Sequence, residues 1–321
     1  MIRNGCALPG APVSAYDPRA MAQPSNQPSI ALPFAVATAG IALFSGMDAV
    51  MKHLVLAIGA YNAMLWRTLA GAAFGGVAFM GAGGKWPKRQ VMRIHLLRGV
   101  ITAIMAILFF WGLARVPLAQ GVALAFIAPL IALYLAALIL KEQITRRAIF
   151  ASVFGFAGVI VILAAQVQAD LGPEALAGSI SILCSASFYA YNIILMRQQA
   201  QVAGPLEIAF FQSAIVGLCF LTCAPFLAAL PPTAELGAVF GAAALGFASL
   251  MLLSWAYARA EAQYLAPVEY TAFIWAVLLG ALVFAEPVRP LTIAGAAMIV
   301  AACLFAARRR PAPVADVEAA I

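Results

Sequence analysis

The chain is a succession of long apolar runs separated by short polar breaks. The runs fall at 31–52, 58–81, 95–114, 117–140, 147–167, 175–196, 205–230, 236–257, 262–285 and 290–307. An α-helix rises 1.5 Å per residue, so about 20 residues cross a hydrocarbon layer roughly 30 Å thick. None of the runs alternates between apolar and polar positions as a lipid-facing strand does, which excludes a membrane β-barrel. Each run is therefore predicted to be helical, because backbone polar groups in lipid must pair within their own segment. The predicted fold is an all-α membrane protein with ten transmembrane helices. Gly and Ala recur inside the runs, as in 69-LAGAAFGG-76 and 294-AGAAMIVAA-302, and such small residues let helix backbones approach closely.

Composition agrees with the pattern. Of 321 residues, 65% are hydrophobic and 10% charged, against roughly a quarter charged in a soluble domain. The net charge of +7 is spread over short clusters between apolar runs, which fits membrane lipid and not nucleic acid as a partner. Residues 1–30, rich in Pro, Ala, Ser and Asn, read as a disordered cytoplasmic tail, and a start at Met21 in place of Met1 would remove most of it. Residues 308–321 read as a second cytoplasmic tail. With the N-terminus inside, 15 Lys and Arg residues fall on the cytoplasmic side, including Lys85, Lys88, Arg89, Arg93 and Arg308–Arg310. Only Lys52, Arg115 and Arg289 fall near the opposite side. That asymmetry places both termini in the cytoplasm.

The chain also repeats itself. Segment 114–142 lies on segment 258–286 without a gap, matching Ala114 with Ala258, Arg115 with Arg259, Leu135 with Leu279 and Glu142 with Glu286. Repeats of five helices, over 31–167 and 175–307, would enter the membrane with opposite polarity. The expectation is two inverted five-helix repeats, a symmetry from which many transporters build a central site.

Two motifs carry a resemblance: 129-PLIALYLAALILKE-142 and 273-FIWAVLLGALVFAE-286. Each closes an apolar run in Glu and leads through a short loop to a Gly/Ala-rich last helix. Each half resembles an EamA domain of the drug/metabolite transporter superfamily, and 264-YLAPVEYTAFIWAVLLGALVFAE-286 is similar to bacterial members assigned to S-adenosylmethionine uptake, riboflavin uptake or metabolite efflux. The resemblance implies ten helices, cytoplasmic termini and carriage of a small metabolite. The halves depart from one another at Phe273, opposite Pro129, and, under a one-residue shift, at Gln212, opposite Arg67.

No GxSxG, HExxH or phosphate-loop pattern is present, so no catalytic residue, metal site, cofactor or built-in ATPase is expected. The five cysteines are scattered, and His53 and His95 sit near helix ends. Ionisable groups inside lipid are the functional candidates. Asp48 and Lys52, four apart, share a helix face within mutual reach, and Arg67 lies at comparable depth. Substrate contact, a structural ion pair and outward snorkelling of Lys52 stay open for them. Glu269, flanked by Tyr264 and Tyr270 and close to Pro267, is the strongest candidate for a substrate cation or a coupling proton. Trp66, Tyr189 and Asn192 offer aromatic and polar walls, whereas the repeated Glu142 and Glu286 suggest architecture.

The sequence thus points to a secondary transporter of a small organic metabolite by alternating access, in a bacterial inner membrane. An efflux carrier on the same fold, a channel and a non-transporting scaffold are the other readings. Protons, a counter-substrate or a second copy of the chain forming a homodimer are further partners left open.

Overall fold

The computed structural model describes residues 31–140, 146–168, 172–257, 259 and 268–307. All regular structure among them is helical. The helices are α1 (Ala31–Gly81), α2 (Arg89–Leu113), α3 (Leu118–Ala125), α4 (Ala128–Leu140), α5 (Arg146–Gln168), α6 (Gly172–Ala200), α7 (Pro205–Leu221), α8 (Ala224–Leu227), α9 (Leu236–Tyr257), α10 (Thr271–Phe284) and α11 (Pro290–Ala307).

The first element is a folded hairpin. Its 51 residues, if straight, would span about 76 Å and hold Met47 and Arg67 about 30 Å apart. Instead, Arg67 Nη1 lies 4.0 Å from Met47 Sδ. The reversal occurs at Gly59, whose φ of 79° and ψ of 156° belong to a region that only glycine enters without strain. Beside the turn, Asn62 and Trp66, one helical turn apart, hold both polar groups of Ala229. The Ala229 N–H donates to Asn62 Oδ1 at 2.9 Å, and the Trp66 indole N–H donates to the Ala229 carbonyl at 2.9 Å.

The hairpin is the hub of the bundle, packing against α2, α7, α9 and α10. Met51, Leu54, Met64 and Leu65 are fully buried there. On the other side α2 packs along α6, and α5 along α11. These contacts need bare backbones: a Cβ on Gly112 would meet the Gly178 carbonyl oxygen at 2.5 Å, and one on Gly158 would meet that of Gly295 at 2.7 Å. Large apolar side chains such as Val77, Phe150, Val153 and Leu282 remain exposed, as expected of a lipid-facing surface.

The expectation of ten membrane-spanning helices in two inverted five-helix repeats is corrected here. Among the described residues four helical stretches are long and apolar enough to cross a membrane: Ala31–Gly81, Arg89–Leu113, Gly172–Met196 and Thr233–Leu253. Five others are apolar but shorter, at 10–17 residues. Apolar runs do not mark helix ends, and prolines set several of them. Pro129 lacks an N–H and its ring would strike the carbonyl of Ala125, so the run 117–140 breaks into α3 and α4 at Phe126 and Ile127. Likewise α7 stops at Leu221, four residues before Pro225.

The internal repeat has a geometric counterpart at two helix ends. Arg115 Nη1 donates to the Trp111 carbonyl at 2.9 Å with its guanidinium 3.5 Å from that indole's centre. Arg259 does the same with Trp255, at 3.2 Å and 4.1 Å.

The Gly59 turn generates a direct test. A Cβ there would meet nothing within 4 Å, so Gly59→Ala isolates backbone strain and should cost about 1–3 kcal/mol. Gly241→Ala, in a helix with equal space, should be neutral or stabilising by up to about 1 kcal/mol. Unfolding midpoints of the two variants in detergent decide it, and equal midpoints would remove the turn's special role.

Candidate functional site

The two arms of α1 bring one acid and two bases into the interior. Asp48 and Lys52 are both buried, but they do not pair with one another. Lys52 Nζ forms an ion pair with Glu286 Oε1 and donates to the Val116 carbonyl at 2.6 Å. Glu286 Oε2 accepts from the Leu118 N–H at 2.6 Å, satisfying a donor at the start of α3 that no helical carbonyl can reach. Glu286 is aimed by the end of α10. Ala285 adopts a left-handed φ of 52°, and the Glu286 N–H bonds back six residues to the Gly280 carbonyl at 3.0 Å, so the last turn of α10 closes through a left-handed residue. A Cβ on Gly280 would lie 3.0 Å from Glu286 Oε2. Three separate segments, α1, the stretch from Val116 to Leu118 and the end of α10, thus meet on one ion pair.

Arg67 and Asp48 behave differently. They act on each other electrostatically, yet no ion pair closes between them among the described residues. Buried Asp48 Oδ1 and Arg67 Nε have no hydrogen-bond partner, nor do both amide atoms of Gln212 on α7, Ser249 Oγ on α9 and Trp275 Nε1 on α10. Each of these helices packs against α1. At Gly246 on α9 a Cβ would come 3.6 Å from Arg67 Nη1 and 3.7 Å from Met47 Cγ, so α9 lies in van der Waals reach of the guanidinium. An unpaired buried polar group costs about 1–3 kcal/mol. Several such groups around one hub are a recurrent sign of a ligand site.

Trp66 spends its N–H on Ala229, away from any guanidinium partner. Asn192, buried on α6, accepts from Arg98 Nε at 3.2 Å and from Thr102 Oγ1 at 3.3 Å. Tyr189, a turn earlier, lies within electrostatic reach of Glu269, of Arg98 and of Asp48 itself. Glu269 is exposed beside Tyr270, whose ring meets Phe126 edge-on at 5.3 Å. Glu142 lies outside the described residues. Sequence reasoning did not single out the unpartnered Ser249 or Trp275. Gln212 was signalled only by its correspondence with Arg67.

Two cavities open elsewhere. One, of about 350 Å³, is lined by Ile107, Leu108, Trp111 and Ser181. The other, of about 550 Å³, lies between α4, α5 and α6 against Ile131, Phe156 and Leu183. Both are mainly apolar and contain no carboxylate or cation. Among the described residues no group of three or more His, Cys, Asp or Glu could hold a metal ion.

Comparison with known proteins adds the family. The profile described as the EamA-like transporter family matches residues 32–164 and again 176–308. A pseudopaline exporter of Pseudomonas aeruginosa is 26% identical over 268 residues, covering 83% of this chain and 93% of that protein. An S-adenosylmethionine uptake transporter of Rickettsia prowazekii is 27% identical over 212 residues, covering 66% and 70%. A solved crystal structure at 20% identity superposes with a TM-score of 0.58 over 87% of this chain and 98% of the other, a likeness of fold.

The ion pair yields a prediction on stability. Lys52→Met strands the Glu286 carboxylate and should cost about 3–5 kcal/mol. Adding Glu286→Gln removes the charge while leaving an oxygen for the Leu118 N–H, so the double variant should recover much of that loss. Melting midpoints of wild type, single and double variants measure the coupling, and a double variant no better than Lys52→Met would refute it.

Proposed function

This chain belongs to the EamA-like transporter family, and we propose that it is a secondary carrier of a small zwitterionic metabolite, working by alternating exposure of the Asp48–Arg67 site. It is a membrane transporter of some small molecule and not an enzyme. The observation that carries the finer reading is the pair of opposite charges held near each other but unjoined, each with a buried atom lacking a partner. Such a pair suits a ligand with an ammonium for Asp48 and a carboxylate for Arg67. The Gln212 amide can donate and accept, and Trp275 can donate. S-adenosylmethionine, named for the Rickettsia relative, ends in an ammonium and a carboxylate. Glu269 guards the approach beside Tyr189 in this reading. The carrier sits in a bacterial inner membrane with both termini cytoplasmic, and lacking a phosphate loop it runs on a solute or ion gradient. Export and uptake are each the named direction of one relative.

A ligand that binds only the folded protein raises its stability, by about 2.7 kcal/mol at one hundred times its Kd. Thermal midpoints of the purified carrier should therefore rise with S-adenosylmethionine or other amino-acid-like zwitterions, and not with analogues lacking either charged group. Asp48→Asn and Arg67→Gln should lose that response at normal folded yield. In sealed liposomes without ATP, Glu269→Gln should slow uptake of the stabilising compound. A response to single-charge analogues that survives in both variants would sink the zwitterion site.

Orientation is tested separately. Fusions after Arg310 should be active with a cytoplasmic reporter and silent with a periplasmic one, because Arg308, Arg309 and Arg310 directly follow the last apolar run and clustered basic residues stay on the cytoplasmic side. The reverse pattern would overturn the assignment.

A further inference from the structure

A second polar constellation joins α2, α6 and α7 away from the Asp48–Arg67 site. His95, Arg98 and Gln199 are all buried. The His95 ring bridges two partners: Nε2 faces Glu207 Oε1 at 3.0 Å, and Nδ1 faces Gln199 Nε2 at 2.5 Å. The opposite end of the same amide, Gln199 Oε1, accepts from Arg98 Nη1. Arg98 Nε in turn donates to Asn192.

Donor and acceptor chemistry fixes the protonation of this chain. A guanidinium carries only donors, so the Gln199 atom against it must be the oxygen and the atom against His95 must be the NH₂. Nδ1 must then accept, and the single ring proton sits on Nε2, where it donates to Glu207. A second proton, on Nδ1, would set one donor against another. The amide cannot turn over to relieve this, since turning would point its NH₂ at Arg98. A doubly protonated His95 and a closed α2–α6–α7 seam therefore exclude each other.

We propose that His95 is a proton-binding site coupled to opening of this seam: the closed seam requires neutral His95, and seam opening delivers Nδ1 to water, where it takes up a proton. The proton comes from solvent and returns there on closure. The groups facing His95 are Glu207 and the Phe211 ring of α7, stacked at 5.0 Å, Gln199 of α6, and Arg98 a turn along its own helix, with Arg93 two residues before it. From α1 the adjoining aromatic cluster receives Phe79, stacked on Phe210. The same proton would couple to transport whatever ligand the Asp48–Arg67 site takes.

The test uses ligand-free carrier in nanodiscs. Hydrogen exchange over residues 192–203, corrected for the intrinsic pH dependence of amide chemistry, reports seam opening. In wild type, opening should rise as pH falls, by up to about tenfold per pH unit, the limit for uptake of one proton. In His95→Gln, whose amide can accept from Gln199 and donate to Glu207 but takes no proton, it should be flat. A flat wild type, or a His95→Gln as steep as wild type, would overturn the proposal. Should that variant fail to fold, nitrogen NMR of wild type labelled in histidine decides. A bare Nδ1 at pH 8 that gains its proton in step with exchange supports the site, and an Nδ1–H tautomer at pH 8 overturns it.

Discussion

A lysine charge in an apolar interior has to be met, and the meeting of Lys52 with Glu286 organises one end of this bundle. The ammonium sits on the first arm of α1, the carboxylate after α10, and the receiving carbonyl and N–H belong to Val116 and Leu118 around the start of α3. Desolvating the two ions costs several kcal/mol each, which their attraction repays only in good geometry with further hydrogen bonds. The left-handed Ala285, the bare Gly280 and the free N–H of Leu118 supply that geometry. With Lys52 satisfied in this way, the neighbouring Asp48 is left without its expected partner. The structural pair and the unjoined Asp48–Arg67 pair are thus consequences of one another.

Two polar constellations then divide the labour. The Lys52–Glu286 contact is an ionic clasp whose partners are 234 residues apart. The His95–Gln199–Arg98 chain is anchored by charged groups at its ends, Glu207 and Arg98, but joined through the neutral Gln199–His95 contact, so its strength turns on where one proton sits. Between them lie groups that the protein itself leaves unpaired. Carriers need closures that hold firmly but reversibly, and hydrogen-bonded polar seams provide two discrete states more readily than well-packed apolar contacts do.

Much of this was legible in the chain, for identifiable reasons. A helical membrane protein follows from apolar runs without alternation, and Asp48 and Arg67 stood out because charge in lipid is rare. The partner of Lys52 was not legible. Helical spacing nominated Asp48, four residues away, and nothing local points from position 52 to position 286. The repeated glutamate suggested architecture from its recurrence but not what it would hold. Helix number was overread because an apolar run continues through Pro129 and past Leu221 while the backbone does not. His95 looked unremarkable near a helix end, since its meaning depends on a glutamine from α6 whose orientation an arginine dictates.

The tight turn at Gly59 has a mechanical consequence. Asp48 lies 11 residues and Arg67 8 residues from that pivot, so the two charges ride on the legs of one pair of compasses. With a single residue as the joint, the legs can swing or slide slightly but cannot be pulled apart, and their tips are bounded to a narrow span. The carrier would then measure its cargo as a ruler does, by the distance between ammonium and carboxylate. The rest of the molecule would be free to vary where it extends past the compass legs.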